Sequence, residues 1–202
     1  MKLETNFLLS KITTFELGGP AKFYLRVTSP EEAVAAILVA QDKKLKYCVV
    51  GGGSNTVFSD QGFAGLVIHF KQNKIKASDL EIKNNKVIVS ASLPWADFVK
   101  TVARQGLVGI EKMAAIPGCV GGAVVGNAGA YGQEMSQVAE WVEVFDGQEI
   151  KKIKNKDCNF GYRDSIFKQK NWIVLCVGFK FRRLAFAQGF GGAKRNFNGK
   201  FN

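Results

Sequence analysis

The chain has 202 residues, of which 28 are basic and 17 acidic, giving a net charge of +11 at pH 7. This length allows one globular domain or two small ones, and a hydrophobic content of 47% excludes a chain that is disordered throughout. No apolar run reaches the roughly 18 residues that a membrane span needs, and the N-terminus lacks the pattern of a signal peptide. We therefore expect a cytoplasmic protein that does not bind membranes.

The first 70 residues have the pattern of a strand–helix–strand unit followed by one more strand. Residues 22–27 alternate in polarity and end in residues that favour strands. Ser29 is a suitable N-cap for a helix, and Glu32 three positions later completes a capping box. Residues 47–50 and 66–70 are short apolar runs typical of buried strands.

A second group of elements follows a lysine-rich connection at residues 71–76. Asn84 and Asn85 separate two alternating runs, which predicts a hairpin turn. An apolar stripe at helical spacing then predicts a helix that stops at Gly106. The stripe consists of Trp95, Phe98, Val99, Val102 and Ala103.

The remaining elements are strands, which makes the predicted fold class α+β. Residues 141–145 predict a strand that turns at Asp146 and Gly147, with a return strand ending at Ile153. Residues 172–181 predict a long final strand. We interpret the chain as two subdomains and a tail, with boundaries at 1–71, 72–183 and 184–202.

The tail at 184–202 is of low complexity and has no helical or strand periodicity. One interpretation is an end without function; the alternative is nucleic-acid binding, in which basic side chains neutralise phosphates and phenylalanines stack on bases. We expect no nucleic-acid partner. From residue 180 onward the chain has no acidic residue and six basic ones, namely Lys180, Arg182, Arg183, Lys194, Arg195 and Lys200.

Neither the cysteines nor the single histidine have the spacing of a metal site. Cys48, Cys119, Cys158 and Cys176 are widely separated, so we expect four free, buried thiols, no disulfide and no metal. His69 lies within an apolar run and is interpreted as a structural strand residue rather than a catalytic base.

Three motifs are candidates for binding or chemistry. The run from Gly51 to Asn55 reads Gly-Gly-Gly-Ser-Asn and follows a predicted strand, so its backbone N–H groups can converge on a phosphate. A tight turn without a ligand is the alternative. The segment 114–132 carries no charge and contains six glycines, which permits close backbone approach to a large ligand; a glycine-rich core crossover is the alternative.

The third motif is Phe-Gly-Tyr-Arg-Asp-Ser at residues 160–165. The guanidinium of Arg163 can hold a carboxylate or an oxyanion through two hydrogen bonds. The alternative is an ordinary surface ion pair with Asp164. The residues by themselves do not choose between these interpretations.

Taken in this order, the motifs resemble the UDP-N-acetylenolpyruvoylglucosamine reductase family, also called UDP-N-acetylmuramate dehydrogenases. The resemblance begins with Thr-Phe-Glu-Leu-Gly-Gly-Pro-Ala at residues 14–21 and covers about residues 13–182. It implies an FAD-binding fold of the vanillyl-alcohol oxidase and p-cresol methylhydroxylase type, in which two α+β subdomains hold the flavin.

The implied reaction has two halves and belongs to peptidoglycan precursor synthesis, and so to cell-wall biogenesis, cell shape and cell division. NADPH reduces FAD, and the reduced flavin passes hydride to the enolpyruvyl double bond of a UDP-sugar. Arg163 would then stabilise the negative charge that develops on the substrate, through its carboxylate.

The resemblance also implies the residues of the site. The FAD diphosphate would be wrapped by Gly51, Gly52, Gly53, Ser54, Asn55 and Thr56. The flavin would be lined by Pro117, Gly118, Val120, Gly121, Gly122, Ala123, Asn127, Gly129 and Ala130. The substrate would contact Tyr131, Tyr162 and the catalytic Arg163.

The sequence departs from the family pattern in one respect. Its third domain supplies a serine as general acid, in a Gly-Ser-Phe-Phe-Lys-Asn-Pro-like motif, and a glutamate near the chain end. Neither motif occurs after Arg183. We therefore expect a C-terminally truncated member with impaired reduction of the UDP-sugar, or an FAD-binding remnant without activity. The sequence does not predict the oligomeric state.

Overall fold

The computed structural model describes residues 2–170 and 172–184, and its first 70 residues form a four-stranded sheet. Its elements are β1 (Leu3–Leu8), β2 (Pro20–Val27), α1 (Pro30–Asp42), β3 (Tyr47–Val50) and β4 (Phe63–Phe70). Strands β2 and β3 lie on either side of β4 and run parallel to it, while β1 runs antiparallel to β2 at one edge. Helix α1 connects β2 to β3.

The predicted start of α1 is confirmed in atomic detail. The Ser29 hydroxyl accepts a hydrogen bond from the Glu32 backbone N–H at 3.3 Å, and the Glu32 carboxylate accepts one from the Thr28 N–H at 2.7 Å. These bonds satisfy N–H groups that would have no partner in the first helical turn. The hydrogen bond from the Thr28 N–H also lowers the pKa of Glu32, because it stabilises the charged carboxylate.

The rest of the described chain is organised around a five-stranded antiparallel sheet, and short strand pairs and three helices complete it. The strands are β5 (Leu80–Lys83), β6 (Lys86–Ser90), β7 (Leu107–Val108), β8 (Gly129–Ala130), β9 (Gln133–Glu134), β10 (Ala139–Phe145), β11 (Ile150–Lys154), β12 (Ile173–Lys180) and β13 (Arg182–Arg183). The helices are α2 (Trp95–Arg104), α3 (Val120–Val125) and α4 (Ile166–Gln169). The strand order in the five-stranded sheet is β11-β10-β12-β6-β5.

The predicted hairpin and second helix are confirmed, with one difference. Asn84 adopts a positive φ of 56° in the turn between β5 and β6, a conformation that asparagine tolerates well. Trp95, Phe98, Val99 and Val102 are buried on α2. Ala103, which the predicted stripe included, is exposed because the helix turns it toward solvent.

A continuous apolar core joins the two sheets. Its members come from α1 and the first sheet, such as Ile37 and Ile68, and from the second sheet and α2, such as Val177 and Phe98. A smaller cluster, which includes Tyr24 and Val67, lies on the opposite face of the first sheet. The change of sheet occurs between residues 70 and 80, but the subdomain boundary at residue 71 stays a prediction.

Two further observations concern the cysteines and the helices. All four cysteines are free, but only Cys119 and Cys158 are buried. Cys48 on the edge strand β3 and Cys176 on the central strand β12 are half-buried, so the expectation of four buried thiols was wrong for those two. Among the described residues, no helix combines the length and apolar character that crossing a membrane requires. The predicted tail lies outside the described residues, apart from Leu184.

Candidate functional site

The first two glycine-rich motifs, 63 residues apart in sequence, touch one another in the fold. The Ser54 hydroxyl donates a hydrogen bond to the Pro117 carbonyl at 3.2 Å. A Cβ atom on Gly52 would lie 2.5 Å from the Gly118 Cα, which is closer than real Cβ contacts occur. Glycine at position 52 is therefore required by the approach of the two backbones.

The run after β3 is also held from its other side, by the segment before β2. The Thr14 N–H donates to the Gly53 carbonyl at 3.0 Å. Gly53 has a φ of +69°, and a Cβ there would lie 1.8 Å from the Ile12 carbonyl oxygen. The resemblance that started at Thr14 thus includes a segment that fixes the conformation of the glycine run.

The two motifs differ in how many backbone donors they leave available. Within residues 2–170 and 172–184, no acceptor is bonded to the N–H groups of Gly53, Ser54 or Asn55. These consecutive donors suit an anionic group such as a phosphate. The glycine run after β3 therefore has unbonded backbone donors of the kind that an anion needs, and its binding of a phosphate stays a prediction.

The start of α3, by contrast, has its donors satisfied within the protein. The Val120 N–H donates to the Leu93 carbonyl and the Gly121 N–H to the Ala91 carbonyl, each at 2.9 Å. The Gly122 N–H contacts the Cys119 sulfur at 3.5 Å. This stretch can offer a ligand contact area, but its helix N–H groups are already engaged.

The predicted flavin-lining residues of α3 are mostly packed inside. Val120 and Gly121 are buried and so is Ala123. A Cβ on Gly121 would lie 2.9 Å from the Ala91 Cβ, so this glycine is needed for close packing of α3 on the end of β6. Gly122 is exposed, and the nearest atom that a Cβ built on it would meet is the Cys119 sulfur, at 3.7 Å. Contact of a flavin with these four residues stays a prediction.

Asn127, just beyond α3, links this segment to the third motif. Its side-chain amide donates to the Gly161 carbonyl at 2.9 Å, and its carbonyl oxygen accepts from the Ser136 N–H at 3.0 Å. The residue is buried and has a φ of +41°. The structure therefore shows Asn127 as a tether for the Gly161 turn, a contact that its sequence position does not reveal.

Arg163 lies on the tight turn that Asn127 holds. Gly161 and Asp164 exchange backbone hydrogen bonds of 3.0 and 3.2 Å across this turn. Arg163 has a φ of +53° and is exposed, and its carbonyl accepts a hydrogen bond from the Lys168 ammonium. In the part of the chain that the structure describes, its guanidinium forms no ion pair with Asp164, so the alternative of a surface pair is not supported.

Ser165, the last residue of the Phe-Gly-Tyr-Arg-Asp-Ser motif, supports the Arg163 turn. It is fully buried, and its hydroxyl donates to the Val125 carbonyl at 2.7 Å, at the end of α3. Together with Asn127 it fixes the Arg163 turn to α3. Membership of this motif is the only sign of a role for Ser165 in the sequence. The motif does not reveal its partner Val125, which lies 40 residues away in sequence.

Both predicted substrate-binding tyrosines are at the surface. Tyr162 is 94% exposed beside Arg163, and Tyr131 is 84% exposed at the tip of the β8–β9 hairpin. Tyr131 has a φ of +52°, which is unusual for an aromatic residue. It borders a cleft of about 430 Å³ whose cationic residues are Lys112, Lys180 and Arg182.

Helix α3 sets the distance between the two halves of the candidate site. Cys119 at its start contacts the glycine run, since a Cβ on Gly51 would lie 2.4 Å from the Cys119 sulfur. Asn127 beyond its end holds the Arg163 turn. Six helical residues at about 1.5 Å each separate these points by roughly 9 Å. Burial raises the pKa of the Cys119 thiol, so it is protonated at neutral pH and not a nucleophile.

Comparison with known protein families shows one match. A family model described as an FAD binding domain matches residues 21–149, which is more than half of the chain. The match spans the glycine run and all of α3.

Two curated relatives of this chain are UDP-N-acetylenolpyruvoylglucosamine reductases. The chain is 38% identical over 168 residues to UDP-N-acetylenolpyruvoylglucosamine reductase of Solibacter usitatus, covering 83% of this chain and 52% of that protein. It is 35% identical to the reductase of the same name from Clostridium botulinum, covering 85% of this chain and 55% of that one. The chain spans about half the length of the curated relatives it matches.

Two solved structures are similar to the fold of this chain. The UDP-N-acetylenolpyruvylglucosamine reductase of Thermus caldophilus superposes with a TM-score of 0.72 at 33% identity, covering 91% of this chain and 63% of that one. An alkyldihydroxyacetonephosphate synthase superposes with a TM-score of 0.57 at 13% identity, covering 81% of this chain and 32% of that one. The second similarity concerns the fold alone.

Proposed function

Because this chain belongs to the FAD-binding domain family and is homologous over most of its length to UDP-N-acetylenolpyruvoylglucosamine reductases, we propose that it is the flavin-binding part of such a reductase. The predicted α+β FAD-binding fold is confirmed by these similarities. The activity of the whole enzyme, its UDP-sugar substrate, its use of NADPH and its place in the cytoplasm are parts of the proposal.

The observation that carries the proposal is the close contact between Gly52 and Gly118, next to backbone N–H groups that have no acceptor in the described chain. A diphosphate is an anion that needs several N–H donors, and Gly53, Ser54 and Asn55 offer three in succession. The residues present therefore fit the diphosphate of FAD, and the family model matches the same stretch.

FAD would supply hydride transfer, taking hydride from NADPH and delivering it to the enolpyruvyl double bond of the UDP-sugar. The chain's own residues bind and orient. The glycine run would hold the diphosphate, and Gly122, Gly129 and Ala130 would border the ring system, whereas the buried Asn127 would hold the Gly161 turn in place. Arg163, free of any described carboxylate partner, would bind the substrate carboxylate and stabilise the charge that develops on it.

For a polypeptide of these 202 residues we propose impaired turnover of the UDP-sugar. Arg163 stabilises negative charge but does not supply a proton, and the serine motif that the resemblance implies for that role does not occur in the sequence. Binding of FAD and its reduction by NADPH need neither of these groups. The two half-reactions can therefore be measured separately.

The deciding experiment is gel filtration of the purified chain with excess FAD, followed by an absorbance spectrum of the protein peak. Flavin bands that elute with the protein are the expected result, and a colourless protein would overturn the proposal. Anaerobic addition of NADPH should then bleach the flavin bands, while further addition of the UDP-enolpyruvyl sugar should restore them slowly or not at all.

The alternative function, nucleic-acid binding, depends on the basic tail, which lies outside the described residues. It predicts a salt-dependent affinity for nucleic acid that disappears when residues 185–202 are removed. Truncation after Leu184 preserves the last described backbone contact, from the Leu184 N–H to the Gly106 carbonyl at 2.9 Å. Equal affinity of the full and truncated chains would remove this alternative.

A further inference from the structure

A cavity of about 540 Å³ lies beside the glycine run, on the face of the first sheet that is opposite α1. Arg26 comes from the end of β2, His69 from the end of β4, and Gly52 follows β3. These three strands are parallel, so the cavity lies at their carboxyl ends. This is the edge at which open parallel sheets bind ligands.

The cavity carries an excess of positive charge. Lys11, Arg26 and Lys71 line it, whereas Glu4 is its one acidic lining residue. In the described ranges, no carboxylate forms an ion pair with any of the three cations. Arg26 instead donates to the side-chain carbonyl of Asn73. Cations gathered around a concave site without carboxylate partners favour an anionic ligand.

A buried polar pair forms part of the cavity wall. The Tyr24 hydroxyl and the His69 Nδ1 are 2.7 Å apart, and the two residues are only 5% and 6% exposed. The other ring nitrogen of His69, Nε2, is buried and makes no well-formed hydrogen bond in the described chain; the nearby Gly51 backbone acts only as the weakest influence on this ring, in the direction that raises its pKa. An unsatisfied buried nitrogen destabilises the fold unless something else binds it.

The protonation states of this pair follow from their surroundings. Burial, with the nearby charges of Lys71 and Arg26, lowers the pKa of His69 to about 4, so the imidazole is neutral at pH 7. Burial raises the pKa of Tyr24, which keeps its phenol protonated. A phenol that donates to Nδ1 leaves the imidazole proton on Nε2, where it is available as a donor.

We propose that this cavity binds a phosphate group, with Arg26 and Lys71 supplying the charge and the Nε2–H of His69 donating a hydrogen bond. The site shares Gly52 with the flavin site proposed above. The phosphate could therefore belong to the FAD diphosphate or to a separate nucleotide. The recognition chemistry is the same for both sources, and the proposal does not require that FAD binds.

The test uses the fact that His69 is the only histidine of the chain, so that one imidazole signal reports on the cavity. The full chain, free of flavin, is titrated with inorganic pyrophosphate while the His69 ring resonances are followed by NMR. We expect a saturable shift, and a rise in the pKa of His69 because a bound anion favours the imidazolium. Besides Tyr24, Arg26 and Lys71, the charged groups around this cavity are Glu4 and Lys11.

Matched variants distinguish pyrophosphate binding in this cavity from a nonspecific effect of the positive charge of the chain. Arg26→Met and Lys71→Met should each weaken pyrophosphate binding roughly tenfold, the effect of losing one charge-assisted hydrogen bond. Lys22→Met removes an exposed charge from the same strand, β2, and should bind pyrophosphate as tightly as the unaltered chain does. The proposal is overturned if pyrophosphate leaves the His69 signal unmoved, or if all three variants weaken binding equally.

A second titration identifies the source of the phosphate. If it belongs to FAD, then FAD alone shifts the His69 signal and blocks pyrophosphate. If it belongs to a separate nucleotide, the FAD-loaded chain still responds to adenosine 2′,5′-bisphosphate. A chain that binds pyrophosphate but never FAD would refute the proposed function and leave the cavity assignment standing. A chain that binds FAD but shows no response to pyrophosphate would refute the cavity assignment and leave the proposed function standing.

Discussion

Gly52 and Gly118 bring two segments of backbone together so closely that no side chain fits between them. The 2.5 Å separation between a Cβ built on Gly52 and the Cα of Gly118 involves main chain on both sides, so neither can move aside cheaply. The Ser54 hydrogen bond to the Pro117 carbonyl fixes the same junction. The candidate diphosphate site therefore depends on two motifs at once.

Gly52→Ala should weaken FAD binding, because the new methyl group must displace the Gly118 backbone. We expect roughly tenfold weaker binding and a loss of about 1–3 kcal/mol in the free energy of unfolding. Gly126→Ala is the matched control, since a Cβ there meets only the Gly122 carbonyl at an ordinary 3.5 Å. Flavin fluorescence titrations of both variants measure the difference. Equal FAD affinities would contradict a shared site at the Gly52–Gly118 contact.

Asn127→Ala should destabilise the fold and loosen the Arg163 turn. It removes both side-chain hydrogen bonds of a buried residue and places alanine at a φ of +41°. The expected loss is about 2–4 kcal/mol in the free energy of unfolding, measured by urea denaturation. Asn159→Ala is the control, because Asn159 has a similar φ of +46° but is exposed. If both variants lose the same stability, the tether to Gly161 contributes nothing.

Arg163→Met should leave FAD binding intact and weaken binding of the UDP-enolpyruvyl sugar. Arg163 is exposed and its side chain holds no other described element in place, so its removal should not disturb the fold. Loss of a bidentate contact with a carboxylate predicts roughly tenfold weaker binding or more. Perturbation of the flavin spectrum by the sugar measures this affinity. Lys156→Met, another exposed charge, is the control, and an unchanged sugar affinity in Arg163→Met would remove Arg163 from the substrate site.

Local features of this fold could be predicted from sequence, whereas partners distant in the chain could not. The Ser29 capping box and the Asn84 turn need only neighbouring residues, and both were predicted correctly. Gly121 illustrates the limit, because a glycine that packs on Ala91 and a glycine that admits a ligand look alike in sequence. The bond from Asn127 to Gly161 spans 34 residues and requires the fold to be known.

His69 predicts a pH dependence of stability whose sign is set by its lowered pKa. Its pKa of about 4 in the fold lies below the unfolded value of about 6.5, so the unfolded chain binds the proton more readily. The contribution of His69 is fully present above pH 6.5 and is lost as the pH falls toward 4. A shift of this size corresponds to a contribution on the order of 3 kcal/mol.

The measurement compares urea denaturation of the unaltered chain and His69→Asn between pH 7.5 and pH 4. The variant is less stable at pH 7.5 because it loses the bond to Tyr24, but its stability should fall less steeply on acidification. Carboxylates that titrate near pH 4 are common to both chains, so they cancel in the difference. The difference in the free energy of unfolding between the two chains should become smaller below pH 6.5. If it stays constant with pH, His69 titrates normally in the fold. Saturating pyrophosphate should reduce this narrowing, because an anion bound in the cavity stabilises the imidazolium and raises the folded-state pKa toward 6.5.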